Sequence, residues 1–192
     1  MFRFSGLVFL GIAVVSLATA ETAERQDLEA AFIRHFGIYT KWPSTTFVNL
    51  SSPVTACFVG NDPRGVGRAL REAASHPAFK IGQRNLNVRT LGRASLADTE
   101  RLGSQIKNCQ ILFVSNVRIK DWVKLYEIVA DTNVLTIGDT RGFAENGGMI
   151  ELYLVNSGRE YRFKVNLENV RRANLDLDSA LLTLSVVKVI GS

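Results

Sequence analysis

The segment Cys109 to Gly138, CQILFVSNVRIKDWVKLYEIVADTNVLTIG, carries three signals in succession. Cys109 to Ser115 is a short, mostly apolar run, the mark of a strand covered on both faces. Ile119 to Ala130 places Ile119, Trp122, Val123, Tyr126 and Val129 at three- and four-residue steps, which gives a helix one apolar face. Val134 to Gly138 is apolar again and ends in glycine. Strand, helix, strand in this order is the crossover of a parallel sheet.

Moving outward, the same alternation continues toward the N-terminus. Val54 to Gly60 (VTACFVG) reads as a buried strand. Asn61-Asp62-Pro63 follows as a helix start, with Asp62 able to cap and Pro63 preset for the first helical position. Asn85 to Leu91 alternates Leu86, Val88 and Thr90 with polar partners, and Ser95 to Ile106 reads as a short helix. Before all of these, Leu28, Ala31, Phe32, Phe36 and Tyr39 share one face of a helix from Asp27, which Trp42-Pro43 should end.

Toward the C-terminus the pattern changes. Thr140 to Gly148 is a glycine-punctuated loop. Met149 to Val155 and Glu160 to Leu167, joined by Asn156-Ser157-Gly158-Arg159, read as an antiparallel hairpin. The apolar stretch Asp178 to Ile190 reads as a final helix that is buried or meets another chain. No repeat or linker interrupts the chain, so the expectation is one α/β domain: a sandwich with a mostly parallel, mixed central sheet flanked by helices, then a hairpin and a helix.

Composition narrows the chemistry. The 192 residues are 46% apolar and 21% charged with four prolines, which excludes a disordered or fibrous chain. Arg3, the apolar run Leu7 to Leu17 and Ala18-Thr19-Ala20 form a secretory leader, Met1–Ala20, cleaved before Glu21; the run is too short for a membrane anchor. The mature chain, 21–192, loses one of the 23 basic residues and keeps all 18 acidic ones, leaving net +4 and no span after cleavage. Its charges form no run, and nucleic acid is not a partner an exported protein meets. The chain is expected to be exported.

Two cysteines and two histidines are too few for a zinc finger or an iron–sulfur cluster. His35 and His76 have no second metal ligand at helical spacing, no Gly-x-Ser-x-Gly elbow marks a nucleophile, and Gly60-x4-Gly65-x-Gly67 is no dinucleotide or phosphate-loop fingerprint. No metal, cofactor or catalytic set is expected. At the carboxyl ends of the parallel strands, where open sheets bind ligands, stand Asp62, Arg64, Asn116 and Asp139. They could hold a small anion or zwitterion, such as a nucleotide or amino acid, or simply cap helices and fix loops. Trp42, Pro43, Arg171 and Arg172 are the candidate exposed anchors for a partner, because aromatic and arginine side chains dominate interfaces. Trp42 could equally plug the core, and the arginines could be solvated.

Taken together, Leu28 to Ile33 leading to Lys41-Trp42-Pro43, Cys57-Phe58-Val59-Gly60, Cys109 to Val114, Leu135 to Asp139 with Gly142-Phe143-Ala144 and Gly147 to Ile150, and Val165-Asn166-Leu167 through Ser179 to Leu182 resemble the YfiR/HmsC-like family of exported bacterial proteins. The resemblance implies an α/β sandwich, often a homodimer. It implies a regulator located in the periplasm that binds the periplasmic sensor part of an inner-membrane diguanylate cyclase and represses cyclic-di-GMP signalling and biofilm formation. It also implies redox-responsive cysteines, although the loop Thr140 to Ile150 lacks the second pair that some relatives carry.

A Cys57–Cys109 disulfide is therefore expected from compartment and resemblance. Strand geometry opposes it: if the two strands end flush at Gly60 and Ser115, the cysteines are offset by three residues, about 10 Å, more than a disulfide spans. The bridge then demands staggered ends or a bulge; otherwise the two are separate buried thiols.

Overall fold

The computed structural model describes residues 11–92 and 99–191. Helix α1 (Gly11–Ile38) is followed by β1 (Thr40–Lys41), β2 (Val54–Gly60), α2 (Val66–Ala74) and β3 (Leu86–Gly92). Then come α3 (Thr99–Ile106), β4 (Ile111–Ser115), α4 (Ile119–Val129) and β5 (Leu135–Gly138). The chain ends with β6 (Ile150–Val155), β7 (Glu160–Asn166), α5 (Leu167–Arg172), β8 (Asp176–Leu177), α6 (Ser179–Leu182) and β9 (Val187–Ile190).

Seven strands form one sheet in the order β3-β2-β4-β5-β6-β7-β9. The first five are mutually parallel, β7 is antiparallel to β6, and β9 is parallel to β7. This is the mixed α/β sheet the sequence leads one to expect. Because side chains alternate along a strand, each central strand feeds two cores. Ala56, Phe58, Ile111, Phe113 and Ile137 pack beneath Ile33 and Phe36 of α1 and Leu70 of α2. Cys57, Val59, Leu112 and Val114 face Leu102 and Ile106 of α3 and Trp122, Leu125 and Val129 of α4. Parallel strands β5 and β6 are joined by a loop instead of a helix, and Phe143 in that loop covers the second core. Gly148 makes room for it: a Cβ there would lie 2.2 Å from the Phe143 ring.

Several local expectations are corrected. The stretch Asp178 to Ile190 is not one helix. Only Ser179–Leu182 is helical, and Val187–Ile190 pairs with β7 through Phe163↔Val187 and Val165↔Val189. Val186, Val187, Val189 and Ile190 are β-branched, and the open edge of β7 offered them a ladder. Pro63 does not open a helix: α2 begins at Val66 after Gly65, whose φ of 76° is left-handed. Asp62 still caps it, accepting from the N–H groups of Val66 (2.9 Å) and Gly67 (2.7 Å). Helix α1 ends at Ile38, ahead of Trp42-Pro43, because Thr40 and Lys41 pair with Leu177 and Asp176.

Cys109 belongs to no strand. It lies between α3 and β4, its N–H donating to the Ile106 carbonyl at 2.8 Å. The leader Met1–Ala20 and the expected helix start at Ser95 lie wholly or partly outside the described residues; from Gly11 the chain is helical.

Candidate functional site

At the carboxyl end of the sheet, five elements contribute to one charged cluster. Arg64, in the β2–α2 turn, donates from Nη2 to Asp139 Oδ2 at 2.6 Å and to Glu29 Oε2 at 3.0 Å. Its Nε lies 3.0 Å from Glu29 Oε1. Tyr161 of β7 donates its hydroxyl proton to Glu29 Oε1 at 2.5 Å. Asp139, just past β5, also accepts from Ser115 Oγ at 2.9 Å and from the Asn116 N–H at 2.8 Å. Asn116 reaches it from a left-handed conformation, φ 50°. Gly60 lets the neighbouring strand ends come close, since a Cβ there would sit 2.2 Å from the Ser115 carbonyl oxygen.

Local sequence explains this geometry. Glu29 shares the buried face of α1 with Ile33 and Phe36, so a carboxylate is carried into the interior at 2% exposure. Burying a charge is costly unless it is paired and hydrogen-bonded, and the Arg64 guanidinium and the Tyr161 hydroxyl supply both. Burial still dominates: the Glu29 carboxyl titrates above its ordinary 4.5, although Tyr161 and Arg64 pull it down. Burial, and then the Glu29 carboxylate, push the Tyr161 phenol up. For Arg64, burial works against the charge, but Glu29 and Asp139 more than offset it and the guanidinium is held more firmly protonated.

Of the residues singled out from sequence, the structure brings Arg64 and Asp139 into contact and keeps Asp62 apart, with both its oxygens on the α2 N-terminus. Glu29 and Tyr161 were not singled out. The signal for Glu29 was a carboxylate among apolar residues on one helix face; for Tyr161 it was a hydroxyl on the inward set of β7. Arg171 and Arg172 lie elsewhere, exposed in the last turn of α5, with Arg172 Nη1 donating to the Tyr126 hydroxyl at 3.1 Å.

The two cysteines are bridged, with Cα atoms 5.9 Å apart. The strands do end flush, Gly60 opposite Ser115, as the objection to the bridge supposed. The bridge forms all the same because Cys109 reaches Cys57 over the sheet face, from the end of α3, and not along an extended strand.

Trp42 and Pro43 sit at the opposite end of the sheet, beside the amino ends of β2 and β3. Trp42 packs edge to face on Phe47, 6.1 Å between centroids, and the Arg84 guanidinium lies 3.8 Å over the other ring's centroid. Arg84 Nη1 pins the turn 49–52 by donating to the carbonyls of Asn49, Leu50 and Ser52 at 2.9, 3.0 and 2.7 Å. Trp42 Nε1 and Thr46 Oγ1 are buried without a hydrogen-bond partner, a condition that costs about 1–3 kcal/mol per group.

A model of the YfiR/HmsC-like protein family matches residues 26–186, nearly all of the domain just described. The chain belongs to the YfiR/HmsC-like family. No curated protein matches it. The YfiR/HmsC-like proteins are a regulatory family, and the resemblance in the sequence points the same way. Among the described residues, no three His, Cys, Asp or Glu side chains are grouped to hold a metal ion, and no helix is long and apolar enough to cross a membrane.

Proposed function

We propose that this YfiR/HmsC-like protein is an exported periplasmic regulator. It binds the periplasmic sensor part of an inner-membrane diguanylate cyclase and holds it inactive, lowering cyclic-di-GMP and biofilm formation. The family match across residues 26–186 carries this reading. The Cys57–Cys109 bridge supports it, because disulfides persist in oxidising compartments such as the periplasm.

Repression by binding requires different affinities for the active and inactive cyclase; equal affinity would shift nothing, however tight. The protein therefore acts through its surface, as one copy or as a homodimer, and needs no chemistry of its own. Deleting the gene should raise cellular cyclic-di-GMP, and restoring it should bring the level back. An unchanged level in the deletion strain overturns the proposal.

A small-ligand receptor built on Asp62, Arg64 and Asp139 is less well supported. Asp62 is occupied by the α2 N-terminus, and Arg64 and Asp139 hold each other, so an incoming ligand would have to displace those bonds.

A further inference from the structure

A cavity of about 360 Å3 opens beside Trp42, walled by Ile38, Phe47, Leu50, Val54 and Ile81. That volume lies in the range that specific sites use. Its wall is mostly apolar, yet Trp42, which lines it, has a buried indole N–H with no acceptor. The Trp42 indole therefore reports on what fills the cavity that it lines.

The apolar surface does not stop at the cavity. Ile38 and Leu50 of the wall are 41% and 90% exposed, and Val48, just before the turn that holds Leu50, is 96% exposed. A free small molecule would fill the cavity and leave Val48 in water, whereas a stretch of polypeptide covers Val48 as well.

Charge decides which polypeptide. No Asp or Glu occurs between Glu29 and Asp62, or between Glu72 and Asp98, and these two stretches supply the cavity walls. They carry Arg34, one helical turn before Ile38, together with Lys80 and Arg84. Arg34 Nε donates to the Lys80 carbonyl at 2.9 Å, next to Ile81 of the wall. None of these three cations forms an ion pair among the described residues. The nearby acids Asp176 and Asp178 are taken up by Lys41, at 3.6 and 4.0 Å.

We propose that this face docks an acidic segment of the regulated partner protein, seating one aromatic or large aliphatic side chain in the cavity and its flanking carboxylates on Arg34, Lys80 and Arg84. The proposal rests on the regulatory reading above and names the surface that carries it.

The two tryptophans make the site directly observable. Trp122 Nε1 donates to the Asn146 carbonyl at 3.0 Å and is a built-in reference, while Trp42 Nε1 is free to respond. With 15N-labelled protein, the capped peptide Glu-Asp-Phe-Asp-Glu should shift the Trp42 indole resonance saturably and leave that of Trp122 in place. The capped peptide Lys-Lys-Phe-Lys-Lys and free phenylacetate should bind at least roughly tenfold more weakly. A motionless Trp42 signal, or equal binding of the basic peptide or of phenylacetate, overturns the proposal.

In cells, a Val48→Ser, Leu50→Ser, Lys80→Glu variant with an unchanged melting temperature should fail to lower cyclic-di-GMP where the wild type succeeds. A variant that represses fully overturns the docking face and leaves the regulatory reading intact. If the wild type itself changes nothing, the regulatory reading fails, and the peptide titration still decides whether the face binds acidic segments.

Discussion

Glu29 is the residue on which the charged cluster turns. It lies inside the protein, its carboxylate faces one cation and one phenol, and burial holds its titration above the ordinary carboxylate value. The folded state therefore binds this proton more tightly than the unfolded chain does. The resulting stabilisation is complete below the unfolded value of about 4.5 and is lost as pH rises through the elevated folded value. Melting temperatures of the wild type and of Glu29→Gln, taken from pH 7.5 down to 4.5, should diverge in favour of the wild type as acid is added. A difference that stays flat would show that Glu29 titrates normally. Tyr161→Phe removes a donor from the same carboxylate and should cost about 1–3 kcal/mol at neutral pH in denaturant unfolding.

Among the elements, the bridge between β2 and the end of α3 closes a separation of 52 residues. In the chain-entropy account, such a link is worth about 4 kcal/mol. The double variant Cys57→Ala, Cys109→Ala should lose stability of that order in urea unfolding, and the wild type should approach it when reductant is added. Equal midpoints with and without reductant would mean that the link contributes nothing.

The central strands were legible in the sequence because β2, β4 and β5 are short apolar runs covered on both faces, with α4 between two of them showing a single apolar stripe. Strand β9 was not, because a run of Leu and Val is apolar at any period and only the free edge of β7 decides between helix and ladder. The position of Cys109 was missed for a related reason: CQILFVS looks like seven residues of strand, while the turn after α3 takes the first two. In the cluster, Arg64 and Asp139 were visible as polar residues at strand ends, but their partners came from α1 and β7, far away in sequence, and no local pattern joins them.

For the molecule as a whole, export sets what reaches its site of action. We expect cleavage between Ala20 and Glu21, so N-terminal peptide mass spectrometry of protein recovered from the periplasm should find Glu21 as the first residue. That form keeps Glu29 and the whole sheet. A recovered peptide that includes Met1 would instead indicate a retained leader.

The small β1–β8 ladder has a consequence for how this chain is made. Thr40 pairs with Leu177, and Lys41 with Asp176. The end of the first helix is thus secured by residues near the opposite terminus, and the strand nearest the C-terminus completes the sheet. A chain threaded through a membrane from its N-terminus cannot make either closure until almost its full length has emerged. Folding dominated by such distant pairings is intrinsically slow. On the exported reading proposed above, the protein stays unfolded during passage and is locked only after Asp176 and Leu177 have emerged.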